Sequence, residues 1–145
     1  MVDDATARFI RSKEFQGEAW GEPDWRLLNG TWRGRIDVAG TLELNVQLKV
    51  QYRPRRPDEP TVVLLAKGIG VWRIDHNGVH RGELSTHLQR HGGDDFQVLD
   101  PAELGSPQLG GGLGLSYLQT TMRSSARYLN IGTKGVDWTD PPGGE

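Results

Sequence analysis

TWRGRIDVAGTLELNVQLKVQY, running from Thr31 to Tyr52, carries the clearest periodicity in the chain. From Thr41 onward the even positions Leu42, Leu44, Val46, Leu48, Val50 and Tyr52 are apolar, and the odd positions Thr41, Glu43, Asn45, Gln47, Lys49 and Gln51 are polar. A helix would scatter those apolar side chains around its circumference, whereas a strand gathers them on one face. Trp32, Gly34, Ile36 and Val38 alternate in the same way with Arg33, Arg35 and Asp37, and Ala39-Gly40 supplies a turn between the two runs. The pattern predicts an antiparallel hairpin with one face against a core and the other in water.

Toward the N-terminus the signal fades. Asp4 to Phe15 suits a short helix capped by Asp4, and QGEAWGEPDW, with two glycines and Pro23, reads as a loop. Residues 1–30 are therefore expected to be an irregular segment. Toward the C-terminus the prolines of RPRRPDEP end the long strand and leave a basic, exposed loop. Thr61 to Ala66 is a β-branched run that reads as a more buried strand, and Gly68 and Gly70 mark a bend before VWRID. Asn77-Gly78 is the dipeptide most favoured in a two-residue type I′ turn, because both central residues need positive φ. A hairpin centred there would pair His76 with Val79 and Asp75 with His80. Asp75, His80 and Arg73 would then share a face, while His76 points the other way.

Glu83 to His91 fits either a short helix or a strand, Phe96 to Leu99 a strand, and the glycine-rich stretch from Ala102 to Leu115 a flexible loop or lid. Leu115, Leu118, Met122, Ala126 and Leu129 recur at helical spacing and predict an amphipathic helix from about Ser116 to Asn130. Residues 132–145 read as a flexible tail. The expected fold is α+β: a single domain over residues 31–131, with a largely antiparallel sheet of five or six strands and one C-terminal helix packed on it.

The chain has 145 residues, no cysteine and a formal charge of −2. Disulfides, thiolate zinc sites and thiol nucleophiles are excluded, and any metal must be held by histidine and carboxylate. No apolar run suits a signal peptide or a membrane span, so a cytoplasmic protein is expected. The near-neutral charge does not announce a nucleic-acid binder, and such binding would rest on a local patch. Arg53, Arg55 and Arg56 form one; guanidinium forks suit phosphate, although an ordinary solvated loop accounts for them as well.

All four histidines, His76, His80, His87 and His91, fall between Val71 and His91. Imidazole titrates near neutrality, so two of them can divide general-acid and general-base work. His80 supported by Asp75, with His87 and with His91 as a second base or positioning group, forms the candidate catalytic set. Arg73, Arg81 and Arg90 are the candidate phosphate holders. No cofactor is required, but a divalent metal on His87, His91 and either Asp75 or His80 is a competing arrangement. The four-residue spacing keeps His87 and His91 on one side in either helix or strand. A third reading makes the protein a non-enzymatic binding module. In that case it is a barrel with a small ligand behind Trp32, where Gly30-Thr31-Trp32 resembles the glycine-x-tryptophan opening of lipocalin-like barrels, or an antitoxin, immunity or phage partner protein.

WRIDHNGVHR followed by THLQRH, then FQVLD and a single helix, resembles the TumE-type small toxins of bacterial toxin-antitoxin pairs over residues 61 to 131. The resemblance implies a compact α+β toxin that acts on RNA or another nucleic-acid target and is neutralised by an antitoxin partner. The function expected from residues and resemblance together is a toxin-like enzyme acting on RNA phosphodiesters by histidine acid-base chemistry.

Overall fold

The computed structural model describes residue 5 and residues 16–40, 45–80, 82–90, 96–107 and 117–142; His80 and Glu83 are described by backbone alone. The strands are β1 (Gly17–Leu28), β2 (Thr31–Gly40), β3 (Val46–Arg53), β4 (Arg56–Ala66), β5 (Ile69–His80), β6 (Glu83–Arg90), β7 (Phe96–Val98) and β8 (Ile131–Val136), with helix α1 (Tyr117–Tyr128) before β8. They form one sheet in the order β7-β6-β5-β4-β3-β2-β1-β8. The first seven are an antiparallel meander, and β8 returns after the helix to lie parallel to β1. The sheet is mostly antiparallel, as expected, but has eight strands among the described residues where five or six were predicted.

The two extra strands lie in the segments read as irregular. In β1 the inward positions are Gly17, Ala19, Pro23 and Trp25, so small residues do the work that leucine and valine do elsewhere. Their outward neighbours are exposed, and the alternation is real but not hydrophobic enough to see. Residues 131–136, read partly as tail, are ordered by pairing with β1, and the chain beyond packs too. Trp138 meets Trp25 edge to face at 5.8 Å, and Trp25 Nε1 donates to the Thr139 carbonyl at 2.8 Å. The ordered unit therefore extends on both sides of the 31–131 limits.

Trp25 sits over Gly34, its cross-strand partner. A Cβ built on Gly34 would lie 2.8 Å from the Trp25 ring. Because that ring is pinned by Thr139 and Trp138, it cannot easily swing away. Gly34→Ala is expected to destabilise the fold by about 2 kcal/mol, the cost of overpacking, measured as a lower urea midpoint. A Trp25→Ala background should relieve most of the penalty.

The even-numbered residues of β2 to β6 build the core. Ile36, Leu48, Val50, Val62, Leu64, Trp72, Ile74 and Leu88 are buried in one cluster with Leu99, Leu104, Met122, Ala126 and Leu129. Helix α1 presents Leu118, Met122 and Ala126 to that face, as its spacing predicted, and ends where Asn130 takes φ 62°. The long alternating run is strand β3 from Val46; Leu42 and Leu44 lie outside the described residues, as do the predicted N-terminal helix and the glycine-rich run 108–116. RPRRPDEP is a tight turn at Pro54-Arg55, with Arg56 already paired to Arg53.

Two hairpin turns differ from expectation. Asn29-Gly30, with φ 51° and 76°, closes the β1–β2 hairpin between Leu28 and Thr31. Asn77-Gly78 closes nothing. The strand runs through it to His80, which pairs with Glu83, so the hairpin closes beyond His80. Asn77 has φ 54°, whereas Gly78 is not in the positive-φ region, so the dipeptide makes a bulge between the Asp75 and Gly78 pairings instead of a type I′ turn. The reason is tertiary. Asn77 is buried, its Nδ2 donates to the carbonyls of Asp58 and Pro107 at 2.8 Å each, and its backbone N–H donates to Thr86 Oγ1.

Candidate functional site

The bulge changes who meets Asp75. Its cross-strand partner is His87, not His80, and β6 is a strand throughout its described length. Arg73, Asp75, His87 and Gln89 project from the sheet face opposite α1, joined there by Thr61 of β4. Asp75 is the hub. Its Oδ1 accepts from Thr61 Oγ1 at 2.9 Å, and its Oδ2 accepts from Arg73 Nε at 2.9 Å and Gln89 Nε2 at 3.3 Å. Arg73 Nη2 also donates to Gln89 Oε1 at 3.2 Å, which fixes the orientation of that amide.

His87 lies beneath this network, 1% exposed. Its Nε2 is 2.7 Å from Gln89 Nε2 and 3.3 Å from Asp75 Oδ2, and its Nδ1 is 3.2 Å from the Ser85 carbonyl. With Gln89 donating to Nε2, the network assigns the proton to Nδ1, where the Ser85 carbonyl accepts it. The Phe96 ring covers the imidazole with centroids 4.9 Å apart. His87 is therefore a packed, hydrogen-bonded support with no open face to a ligand.

His76 points to the face opposite Asp75, as expected although the Asn77-Gly78 turn does not form, and is fully buried. Its Nδ1 lies 2.7 Å from Ser106 Oγ and its Nε2 2.8 Å from Ser125 Oγ, tying β5 to α1. Burial lowers its pKa from 6.5 to about 3. The unfolded imidazole takes up a proton near pH 6.5, while the folded one stays neutral to about pH 3. Between those values the unfolded state binds more protons, so stability is complete above the window and falls as pH drops through it, by up to about 1.4 kcal/mol per unit. Urea unfolding at a series of pH values should show this slope, and His76→Gln should flatten it.

The other predicted residues divide. Asp75 and Arg73 meet, as expected. His80 stands opposite Glu83 at the hairpin end, four residues along β6 from His87, roughly 13 Å by strand rise. Arg90 pairs with Trp72 on the core-side face and does not join Arg73. His91 and Arg81 lie outside the described residues. Among the described residues no group of three histidine or acidic side chains is placed to hold a metal ion. Trp32 is half-buried between Leu27 and Tyr52 in the register.

Over the Asp75 network opens a cleft of about 520 Å³. Thr61, Gln51, Gln89 and Asp75 line it, with Arg33, Arg53, Arg56 and Arg73 around them and Glu59 near the β3–β4 turn. Four guanidinium groups face two carboxylates. Glu59 bridges Arg56 at 3.2 Å and Arg53 at 3.9 Å, and Asp75 holds Arg73. Arg33 donates to the Leu28 carbonyl at 3.3 Å. Gln51, Thr61 and Arg33 were visible in sequence only as the polar half of an alternation. Their convergence depends on the register of four hairpins, in which Arg33, Gln51, Thr61, Asp75 and His87 form one row across five strands.

No family model, curated protein or solved structure matches the chain. Fold and site together define a class in structural terms: a mostly antiparallel, single-sheet domain with a helix on one face and a polar, arginine-rich cleft on the other. No helix among the described residues is long and apolar enough to cross a membrane.

Proposed function

We propose that this protein binds a phosphate-bearing ligand in the arginine-lined cleft. One observation carries the reading: four arginines line a cleft floored by hydrogen-bonded side chains while the chain as a whole carries a charge of −2. Guanidinium forks match phosphate oxygens in pairs. The floor is held before any ligand arrives, because Asp75 accepts from Thr61, Arg73 and Gln89 at once. Gln51 and Thr31, also in the lining, offer further donors to an oxyanion or hydroxyl.

The geometry favours binding over acid-base cleavage of RNA. A general base must come within hydrogen-bond reach of the proton it removes. His87 is sealed beneath Gln89 and Phe96, and the backbone register sets His80 well apart from it. Calorimetric titration with a nucleoside monophosphate, the parent nucleoside and inorganic phosphate tests the reading. The two phosphates should bind and the nucleoside should not; equal binding of nucleoside and nucleotide contradicts it.

A further inference from the structure

The cleft does not stand alone on its face. A second concavity of about 320 Å³, lined by Asp24, Arg26, Leu28, Arg33 and Arg35, shares Arg33 with it. A third, of about 470 Å³ at the tips of two hairpins, shares Arg53 and Arg56 and adds Arg55. Three hollows are thus joined by arginines common to adjoining walls. From β1 to β5 the face spans four strand spacings, roughly 19 Å, more than one phosphate group occupies.

Positive charge on this face is incompletely offset. Arg35 is flanked in its row by Asp24 and by Lys49, whose ammonium pKa is held below its usual value by burial and by the nearby charges of Arg35 and Arg33. Such crowding is relieved by an anion lying across the row. The same face carries exposed aromatic rings at both ends. Trp20 of β1, opposite Asp37, is 55% exposed, and Phe96 of β7, opposite Gln89, is 41% exposed. Spaced cations between flat apolar rings suit a ligand that alternates phosphates with planar bases.

Building on the phosphate reading of the cleft, we infer that the cleft is one station of a longer groove that takes single-stranded nucleic acid, with Arg26 and Arg35 holding phosphates beyond it and Trp20 stacking a base. The alternatives of a small ligand confined to the cleft, or of any polyanion, are separated by experiment.

Fluorescence anisotropy competition with thymidine monophosphate and with a thymidine oligomer about eight nucleotides long, near one OB-fold site size, reads the difference. The oligomer should bind at least about tenfold more tightly, with a log-affinity against log-salt slope of about −0.7 per phosphate held. Arg26→Gln combined with Arg35→Gln should weaken the oligomer about tenfold, flatten its slope and leave the monophosphate unchanged. Trp20→Ala should weaken the oligomer and Trp20→Phe should restore most of the loss. An oligomer no tighter than the monophosphate overturns the groove and leaves the phosphate site standing; failure of both to bind overturns both. Equal displacement by heparin with no effect of Trp20→Ala, or equal binding of a duplex, overturns the assignment to single strands.

Discussion

Asp75→Ala is expected to lower the unfolding free energy by about 3 kcal/mol, the largest stability effect of any substitution on the polar face. The carboxylate is less than one-fifth exposed and is the common acceptor for Thr61, Arg73 and Gln89. Removing it leaves the Gln89 amide and the Arg73 guanidinium short of an acceptor above a buried imidazole, and groups that lose a buried partner bear their full desolvation cost. Asp75→Asn should cost somewhat less, since one oxygen survives, although its new N–H₂ meets donors. Equilibrium urea unfolding of wild type, Asp75→Ala, Arg73→Gln and the double variant measures the coupling. It should exceed about 1 kcal/mol; additive single effects would mean that the two side chains stabilise the sheet independently.

Arg33→Gln combined with Arg53→Gln is expected to weaken phosphate binding by about 2 kcal/mol, roughly 30-fold, while changing stability little. Both guanidinium groups line the cleft, and neither is bound to the Asp75 hub: Arg33 donates to a backbone carbonyl, and Arg53 makes a long bridge of 3.9 Å to Glu59. Their loss removes charge from the wall without opening the network beneath it. Titration calorimetry at two salt concentrations checks the result, because charge-carried binding should lose part of its salt dependence in the variant. Unchanged affinity with an unchanged fold would remove these arginines from the site.

The contrast between the two Asn-Gly dipeptides explains what was legible. Asn29-Gly30 stands between two strands with nothing else claiming its polar groups, so local turn chemistry decides. Asn77-Gly78 has stronger local support, in the apolar alternation of VWRID before it, yet Asn77 is drawn into the interior by the Asp58 and Pro107 carbonyls, 19 and 30 residues away. Local propensity yields when a buried amide can satisfy both donors by bulging. The consequence reached the site: Asp75 found His87 instead of the expected His80, and only the inward turn of His76 followed from strand alternation alone. Strands β2, β3 and β4 and helix α1 were plain because leucine, valine and isoleucine mark their inner faces. Strand β1 was hidden because Gly17, Ala19 and Pro23 do that work there, and β8 because Ile131 and Val136 are its only buried side chains. The arginine cleft was hidden for another reason. Its lining comes from five strands, β2 to β6, and only the hairpin registers align it.

The proposed binding of phosphate in the arginine cleft over Asp75 has a direct readout. Arginine side-chain NMR, following the Nε–Hε signals during titration with a nucleoside monophosphate, addresses it most directly. The signals of Arg33, Arg53, Arg56 and Arg73 should move together with one binding curve, while those of Arg123, which holds Thr133 at 2.7 Å, and Arg90 on the opposite face stay in place. Shifts spread evenly over the arginines of both faces, or confined to residues away from the cleft, would contradict it.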